Sequence, residues 1–569
     1  MRFSLRSLIG LLLFAITLFG CNKSSSSGGG GISVSLPTAF NLTDPQNGTG
    51  ISVTGTLYWQ DSTGETSYRI EIFSDQNLNN IVLFSQLNQN TTSFTIPANA
   101  LNKNQTYYWR VKAQNSAGET IAANAPFSFV TVGANTAVGV LDTSFDSDGI
   151  VTHDGAATVG NPGGNPGDDQ GNSVIIIPSG PNKGKILVAG YSFNGADLDM
   201  TVWQYNTDGT LDTQNFGGSR GYYISGMAGE DRGQDLAVDS SGNIYVVGYS
   251  TQGGTLDITV WKLKPDGTLD TTFKNPNGFL TLGFKDANNI PTNDRGFGIV
   301  VDNSNSRIVF VGEGGNLLQI LKYDFNGGAD TTFGSNSNGN VTFNSGTIAT
   351  IGRDVILDGS NNILVCGAYG SNMAVWRYTP SGQLDTTFNS GGTQGYFRDT
   401  SKECYGYGLV QDSNNNIIVC GYYLGTSNTR DMALWRLTSA GVKDTNFQNP
   451  DGRVTFNNAA GGNKNDEGLD VLIDLDGKIV VTGYSINSSN SEDMVIWRVH
   501  NDSNTGTVGS LDTATFGNPN GYVVHTGAAG GTAKDFGYGI TIDSNGRLIV
   551  TGSSTNSSYN LDMVIWRWK

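Results

Sequence analysis

The chain has 569 residues and a formal net charge of −17, with Lys and Arg numbering only 33. So acidic a balance excludes nucleic acid and anionic lipid as electrostatic partners. Charged residues make up 15% and aromatic residues 10%, and recurrent Val/Ile runs exclude a disordered chain.

The first element is MRFSLRSLIGLLLFAITLFGC. Arg2 and Arg6 precede an apolar stretch from Leu8 to Phe19 that is too short to span a membrane, so residues 1–20 read as an export signal. Leu18-Phe19-Gly20-Cys21 resembles the lipobox of bacterial lipoproteins, and that resemblance implies acylation of Cys21. Residues 21–35 are a flexible Ser/Gly tether. The expectation is an exported protein, lipid-anchored through Cys21 to the bacterial outer membrane, periplasmic or surface-exposed. The three other cysteines include Cys366 and Cys420 at equivalent places in neighbouring repeats, which predicts buried free thiols rather than a disulfide framework.

Residues 36–133 alternate apolar and polar in short runs divided by turn residues, the pattern of a β-sandwich. In LNKNQTYYWRVKAQNSAGET (101–120), Leu101 with Tyr107, then Trp109, Val111 and Ala113, resemble the closing half of a fibronectin type III domain. Trp59 and Tyr68 stand where that family keeps its core aromatics. The resemblance implies a fold and no particular partner. Residues 134–140 read as a linker.

From 141 to 569 the chain repeats. Trp203, Trp261, Leu321, Trp376, Trp435, Trp497 and Trp566 mark a period of about sixty residues. Each unit carries four strand-like runs, as in DRGQDLAVD (231–239), IYVVGYS (244–250), DITVWKLK (257–264) and GFLTL (278–282). Such a period predicts propeller blades. The recurring D-x-G, I-V-V-G, V-W-R and L-D-T-x-F elements resemble the delta-60 repeat of bacterial exported proteins. The fold class expected is all-β: a seven-bladed propeller over 141–569, preceded by the sandwich. The array opens on a fourth-run segment and ends on a third, so residues 149–152 are expected to pair with the last blade and close the ring.

Residues present in every unit read as structural. The basic residue after the Trp (Lys262, Lys322, Arg377, Arg436, Arg498, Arg567) and the Asp of L-D-T-x-F are expected to pair. The D-x-G aspartates vary more: Asp169, Asp231, Asp294, Asp466 and Asp535 hold the position, while Thr350 and Cys404 replace it. If they ring the channel mouth they are the candidate site for a divalent cation; the favoured alternative is a strand-end cap repeated by duplication. No cofactor is predicted beyond that cation, and no catalytic residue. Gly217-Gly218-Ser219-Arg220-Gly221 has the G-x-S-x-G spacing but sits in a Gly-rich connector.

Loops joining runs 2–3 and 4–1 share one face, and the variable stretches lie there. The interval from the second-run Gly to the ruler position is 9 residues in the third and fourth units and 13 or 14 elsewhere, predicting a notch on that face. The leading functional reading is a cell-envelope binding or adhesion module whose variable face takes a protein or glycan. A structural envelope component and an enzyme acting on polysaccharide or peptidoglycan are the alternatives.

Overall fold

The computed structural model describes residues 34–45, 49–52, 55–97, 100–102, 105–132, 138–158, 167–448, 451–501 and 506–569. The expected export signal and Cys21 lie outside the described residues. Described strands account for nearly all regular structure, and the described part divides into an N-terminal and a C-terminal unit.

The N-terminal unit is a sandwich. A three-stranded sheet of Leu42–Asp44, Thr56–Trp59 and Ser93–Thr95 accompanies a six-stranded sheet built on Ser67–Phe73 and Thr106–Asn115. Alternation along Thr106–Asn115 buries Tyr107, Trp109, Val111 and Ala113. Trp59 and Tyr68 pack at 5.8 Å between ring centroids. The Tyr68 hydroxyl donates to Asp61 at 2.8 Å, so the buried ring keeps its polar end satisfied.

The C-terminal unit contains, among the described residues, seven four-stranded antiparallel sheets. Their inner strands are Asp169–Ile176, Asp231–Val238, Arg295–Asp302, Thr350–Leu357, Cys404–Gln411, Gly461–Ile473 and Gly530–Ile542. Each packs against the next, and the last packs against the first, so the sheets form a ring about an axis. We number the sheets one to seven in this order. Ile150–His153 supplies the outer strand of sheet seven, in register Ile150↔Trp566 to His153↔Met563. Val140, which the sequence places in a linker, exchanges backbone hydrogen bonds with Lys569 at 3.0 and 2.8 Å and so belongs to this seam.

The repeated residues hold the sheets together. The six ruler tryptophans and the seven Phe of L-D-T-x-F are at most 1% exposed. Trp261 of sheet two, for instance, packs with Leu187, Met200, Val202 and Phe216 of sheet one. The cation after the Trp reaches the following Asp in every repeat that has one. The separations are 3.0 Å for Lys262–Asp270, 3.8 Å for Lys322–Asp330, 2.7 Å for Arg377–Asp385, 2.8 Å for Arg436–Asp444 and 3.4 Å for Arg498–Asp512. Gln204 does the same by donating to Asp212 at 2.6 Å. Arg567–Asp142 at 2.9 Å makes this pair across the ends of the ring. The same cations donate onward to the next sheet's backbone, as Lys262 does to Phe325 O at 2.9 Å and Arg377 to Ser439 O at 2.7 Å. One side chain thereby neutralises a buried charge and joins two sheets.

Every inner strand also carries a register shift two residues after its D-x-G glycine or that glycine's counterpart, as at Gly171/Ser173, Gly352/Asp354 and Gly468/Asp470. The bulge presses the strand against the second strand. A Cβ on Gly190, Gly248 or Gly421 would stand 1.8 Å from a carbonyl oxygen of the inner strand, which is why only Gly ends the second run.

Candidate functional site

We number positions along each inner strand from the D-x-G aspartate or its replacement as position one, and the aspartate side chains there are turned into the protein. Asp169, Asp231, Asp294 and Asp466 are 0% exposed and Asp535 is 1% exposed. Asp169 accepts from Gly155 N at 2.8 Å, Asp466 from Asn458 N at 2.9 Å and Asp535 from Gly527 N at 2.9 Å. Asp231 accepts from the Ser225 hydroxyl at 3.2 Å, and Asp294 from the Thr292 hydroxyl at 2.6 Å. Thr350 and Cys404, the two replacements, take Leu318 N at 2.9 Å and Met373 N at 3.2 Å. The aspartates therefore fasten the incoming loop to the inner strand, and the two replacements fasten the third strand of the preceding sheet to it.

Each of these carboxylates is buried and hydrogen-bonded as a strand-end cap, the arrangement that duplication of the repeat favours. No group of three or more His, Cys, Asp or Glu among the described residues is placed to hold a metal ion. Burial pushes Asp169 and Asp231 up to about 7 and Asp466 up to about 6.

The axis is lined instead by the residues around the bulge. Position two of the strand contributes Gln170, Arg232, Arg295 and Tyr405, and position four contributes Asn172, Phe297, Arg353 and Tyr407. A regular strand would turn position five back toward the neighbouring sheet. The extra residue re-aims it, and Ser173, Asp235, Asp354 and Asp470 line the same space. Together they enclose a cavity of about 720 Å³.

Three layers of chemistry are stacked there. At the level of position two, Arg232 pairs with Glu230 at 2.6 Å, and Arg295 with Glu313 at 2.9 Å. Around position four an aromatic group forms. Tyr405 and Tyr407 lie 5.0 Å apart, and Tyr405 stacks on Tyr422 at 6.1 Å. Tyr407 donates to Glu467 at 3.0 Å, which Arg430 also holds at 2.7 Å. Arg353 projects into this group, 4.1 Å from the Phe297 ring centroid, with its Nε donating to the Tyr405 hydroxyl at 3.1 Å.

The deepest layer is position five. Asp235 takes Ile299 N of sheet three at 2.9 Å, Asp354 takes Leu409 N of sheet five at 2.8 Å, and Asp470 takes Ile540 N of sheet seven at 2.8 Å. The receiving sheets carry Gly298, Gly408 and Gly539 at the equivalent position. Burial, with the repulsion of the other two carboxylates, pushes Asp354 up to about 8; burial pushes Asp470 up to about 7 and raises Asp235.

The cavity is off-centre. Ala349, Ala368 and Gly370 of sheet four and Glu313 of sheet three belong to its wall. The second and third strands of these two sheets are joined by two-residue turns, Gly315-Asn316 and Gly370-Ser371. The second and third strands are longer in sheet two, which also closes on a two-residue turn, so the short intervals noted in the sequence fall in the two sheets whose hairpins lie beside Ala349, Ala368 and Glu313 of the cavity wall.

Family profiles match the C-terminal unit as "Domain of unknown function (DUF5122) beta-propeller" over residues 184–214, 240–273, 360–388, 413–447 and 475–505. A profile described as "Beta-propeller repeat" matches residues 218–253, and a "Rha78A-like, N-terminal immunoglobulin domain" profile matches residues 46–134. No curated protein sequence matches the chain. Among solved structures, a streptogramin B lyase is similar at 11% identity and a TM-score of 0.34, over 73% of this chain and 97% of that one. Sqt1 from Chaetomium thermophilum is similar at 10% identity and a TM-score of 0.35, over 71% and 97%. A protein of unknown function from Bacteroides caccae is similar at 13% identity and a TM-score of 0.31, over 58% and 95%. These likenesses are too loose to bear on what the chain binds.

Proposed function

Starting from a β-propeller protein that carries an N-terminal immunoglobulin-like domain, we propose that the chain is a binding module whose ligand enters the axial cavity on the loop-bearing face. It would work at the cell envelope, exported and held to the outer membrane through Cys21. The observation that carries the reading is Arg353, a cation set among Phe297, Tyr405 and Tyr407 in the wall of a cavity of about 720 Å³. Ligand pockets of roughly 300–1,000 Å³ that join aromatic surface to a few directed polar groups are the usual form of a small-molecule or glycan site.

The test is a screen of soluble glycans and proteins against the full chain and its Tyr407→Ala variant. A ligand whose affinity falls about tenfold in the variant supports the reading. Ligands that bind both chains equally place recognition elsewhere and remove the cavity from it.

A second reading, a polysaccharide-cleaving enzyme, is favoured by Asp354 and Asp470 alone, whose pKa values near 8 and 7 suit a general acid. Against it, both oxygens of Asp354 already accept backbone N–H groups, from Val355 at 2.7 Å and Leu409 at 2.8 Å. Asp470 is held the same way by Val471 and Ile540. Such carboxyls are built into the wall. Release of reducing ends from a polysaccharide, abolished by Asp354→Asn, would replace binding with catalysis.

A further inference from the structure

We propose, resting on the binding reading, that the ligand is a short saccharide bearing a carboxylate, with that carboxylate seated on Arg353. Three arginines reach the cavity wall, and two are already compensated: Arg232 by Glu230 and Arg295 by Glu313. Arg353 makes no ion pair among the described residues, and its only side-chain hydrogen bond there is the Nε contact with Tyr405. Its two Nη groups are thus the available donors, and a guanidinium fork matches the two oxygens of a carboxylate. The Phe297 ring, 4.1 Å away, holds the guanidinium in place by cation–π contact without neutralising it.

One uncompensated guanidinium fork suits one carboxylate, taken by its two oxygens. The net charge of −17 opposes long polyanions, which leaves a small ligand that gains the rest of its affinity from neutral contacts. Those contacts are hydroxyl-matching groups. Asn172 and Gln234 line the cavity, and side-chain amides both donate and accept toward adjacent hydroxyls. The aromatic faces of the same wall suit the apolar face of a pyranose ring. An acidic sugar uses all three kinds of contact at once, whereas a simple alkanoate would leave the amides unused.

The experiment is calorimetric titration of the full chain with digalacturonate, its methyl ester, the neutral disaccharide digalactose, and a tetraglutamate peptide. Digalacturonate is expected to bind at least tenfold more tightly than the ester or the neutral sugar. Arg353→Met should weaken it by tenfold or more and erase the preference for acid over ester, with Arg353→Lys intermediate. Loss of that preference is a readout that misfolding would not mimic, and an unchanged melting temperature in Arg353→Met confirms it. Equal binding of acid and ester, retention of the preference in Arg353→Met, or tighter binding of tetraglutamate overturns the assignment. If digalacturonate fails while another ligand binds in a Tyr407-dependent way, the ligand class falls and the binding reading stands; if nothing binds, both fall.

Discussion

Asp444 accepts from Arg436 Nε and lies 2.8 Å from its Nη2, and both side chains are less than a tenth exposed. Removing one member strands a buried charge, which costs about 3–5 kcal/mol, while replacing both with apolar residues costs far less. Asp444→Ala is therefore expected to lose several kcal/mol in denaturant unfolding, and adding Arg436→Met should recover part of the loss. The axial carboxyls act in the opposite electrostatic sense. Asp235, Asp354 and Asp470 have folded pKa values raised above the ordinary carboxylate value of 3.8, by burial first. The folded chain then holds protons that the unfolded chain has released, so stability falls as pH climbs from about 4 through 8. Melting temperature should drop between pH 5 and pH 8.5, and Asp354→Asn should flatten the decline. At this scale the sequence showed which residues repeat and therefore which carry the sheets. It concealed Arg353, because the fourth position of the inner strand runs Asn172, Gln234, Phe297, Arg353, Tyr407, Leu469, Tyr538 and looks unconstrained. That variability was itself the available signal, since wall positions change while interface positions repeat.

The strand elements were legible because each bears its own punctuation: the second-strand Gly, the ruler Trp, the turn before L-D-T-x-F. The bulge was not. A one-residue shift in a short strand that already contains Gly leaves no trace in apolar periodicity, yet it decides which carboxylate meets the axis. Position five thus lines the axis, while the D-x-G aspartates cap the strand ends. The bulged strands also approach their neighbours closely. A Cβ on Gly298 would lie 2.9 Å from Asp354 Cα, and one on Gly408 would lie 3.2 Å from Asp470 Cα. Gly298→Ala should lower the melting temperature by forcing sheets three and four apart, and an equivalent change at Gly359, where a Cβ meets nothing within 4 Å, should not.

At the scale of the whole ring, the first and last segments of the ring are joined through three independent devices: the strand Ile150–His153 beside the C-terminal strand, the Val140–Lys569 backbone pair, and the Arg567–Asp142 ion pair. Deleting residues 138–153 should leave sheet seven a three-stranded, edge-exposed sheet and convert unfolding into a broader, aggregation-prone transition, read by calorimetry and light scattering. The phase of the repeat foretold the strand; nothing in the sequence singled out Val140, whose contribution is made by backbone atoms alone.

Position five, read around the ring, runs Ser173, Asp235, Gly298, Asp354, Gly408, Asp470, Gly539. A two-letter code of this kind cannot alternate perfectly on an odd-membered circle, so one place must break parity. Ser173 is that place: its hydroxyl donates to Asp235 at 2.7 Å, and it faces Gly539 on the other side, beside the seam where the chain's two ends meet. The arrangement makes the Asp–Gly couple, two sheets rather than one, the unit of exchange. Inserting or excising a couple preserves every donor–acceptor match, whereas excising the sheet of Gly298 or Gly408 alone would set one carboxylate against another.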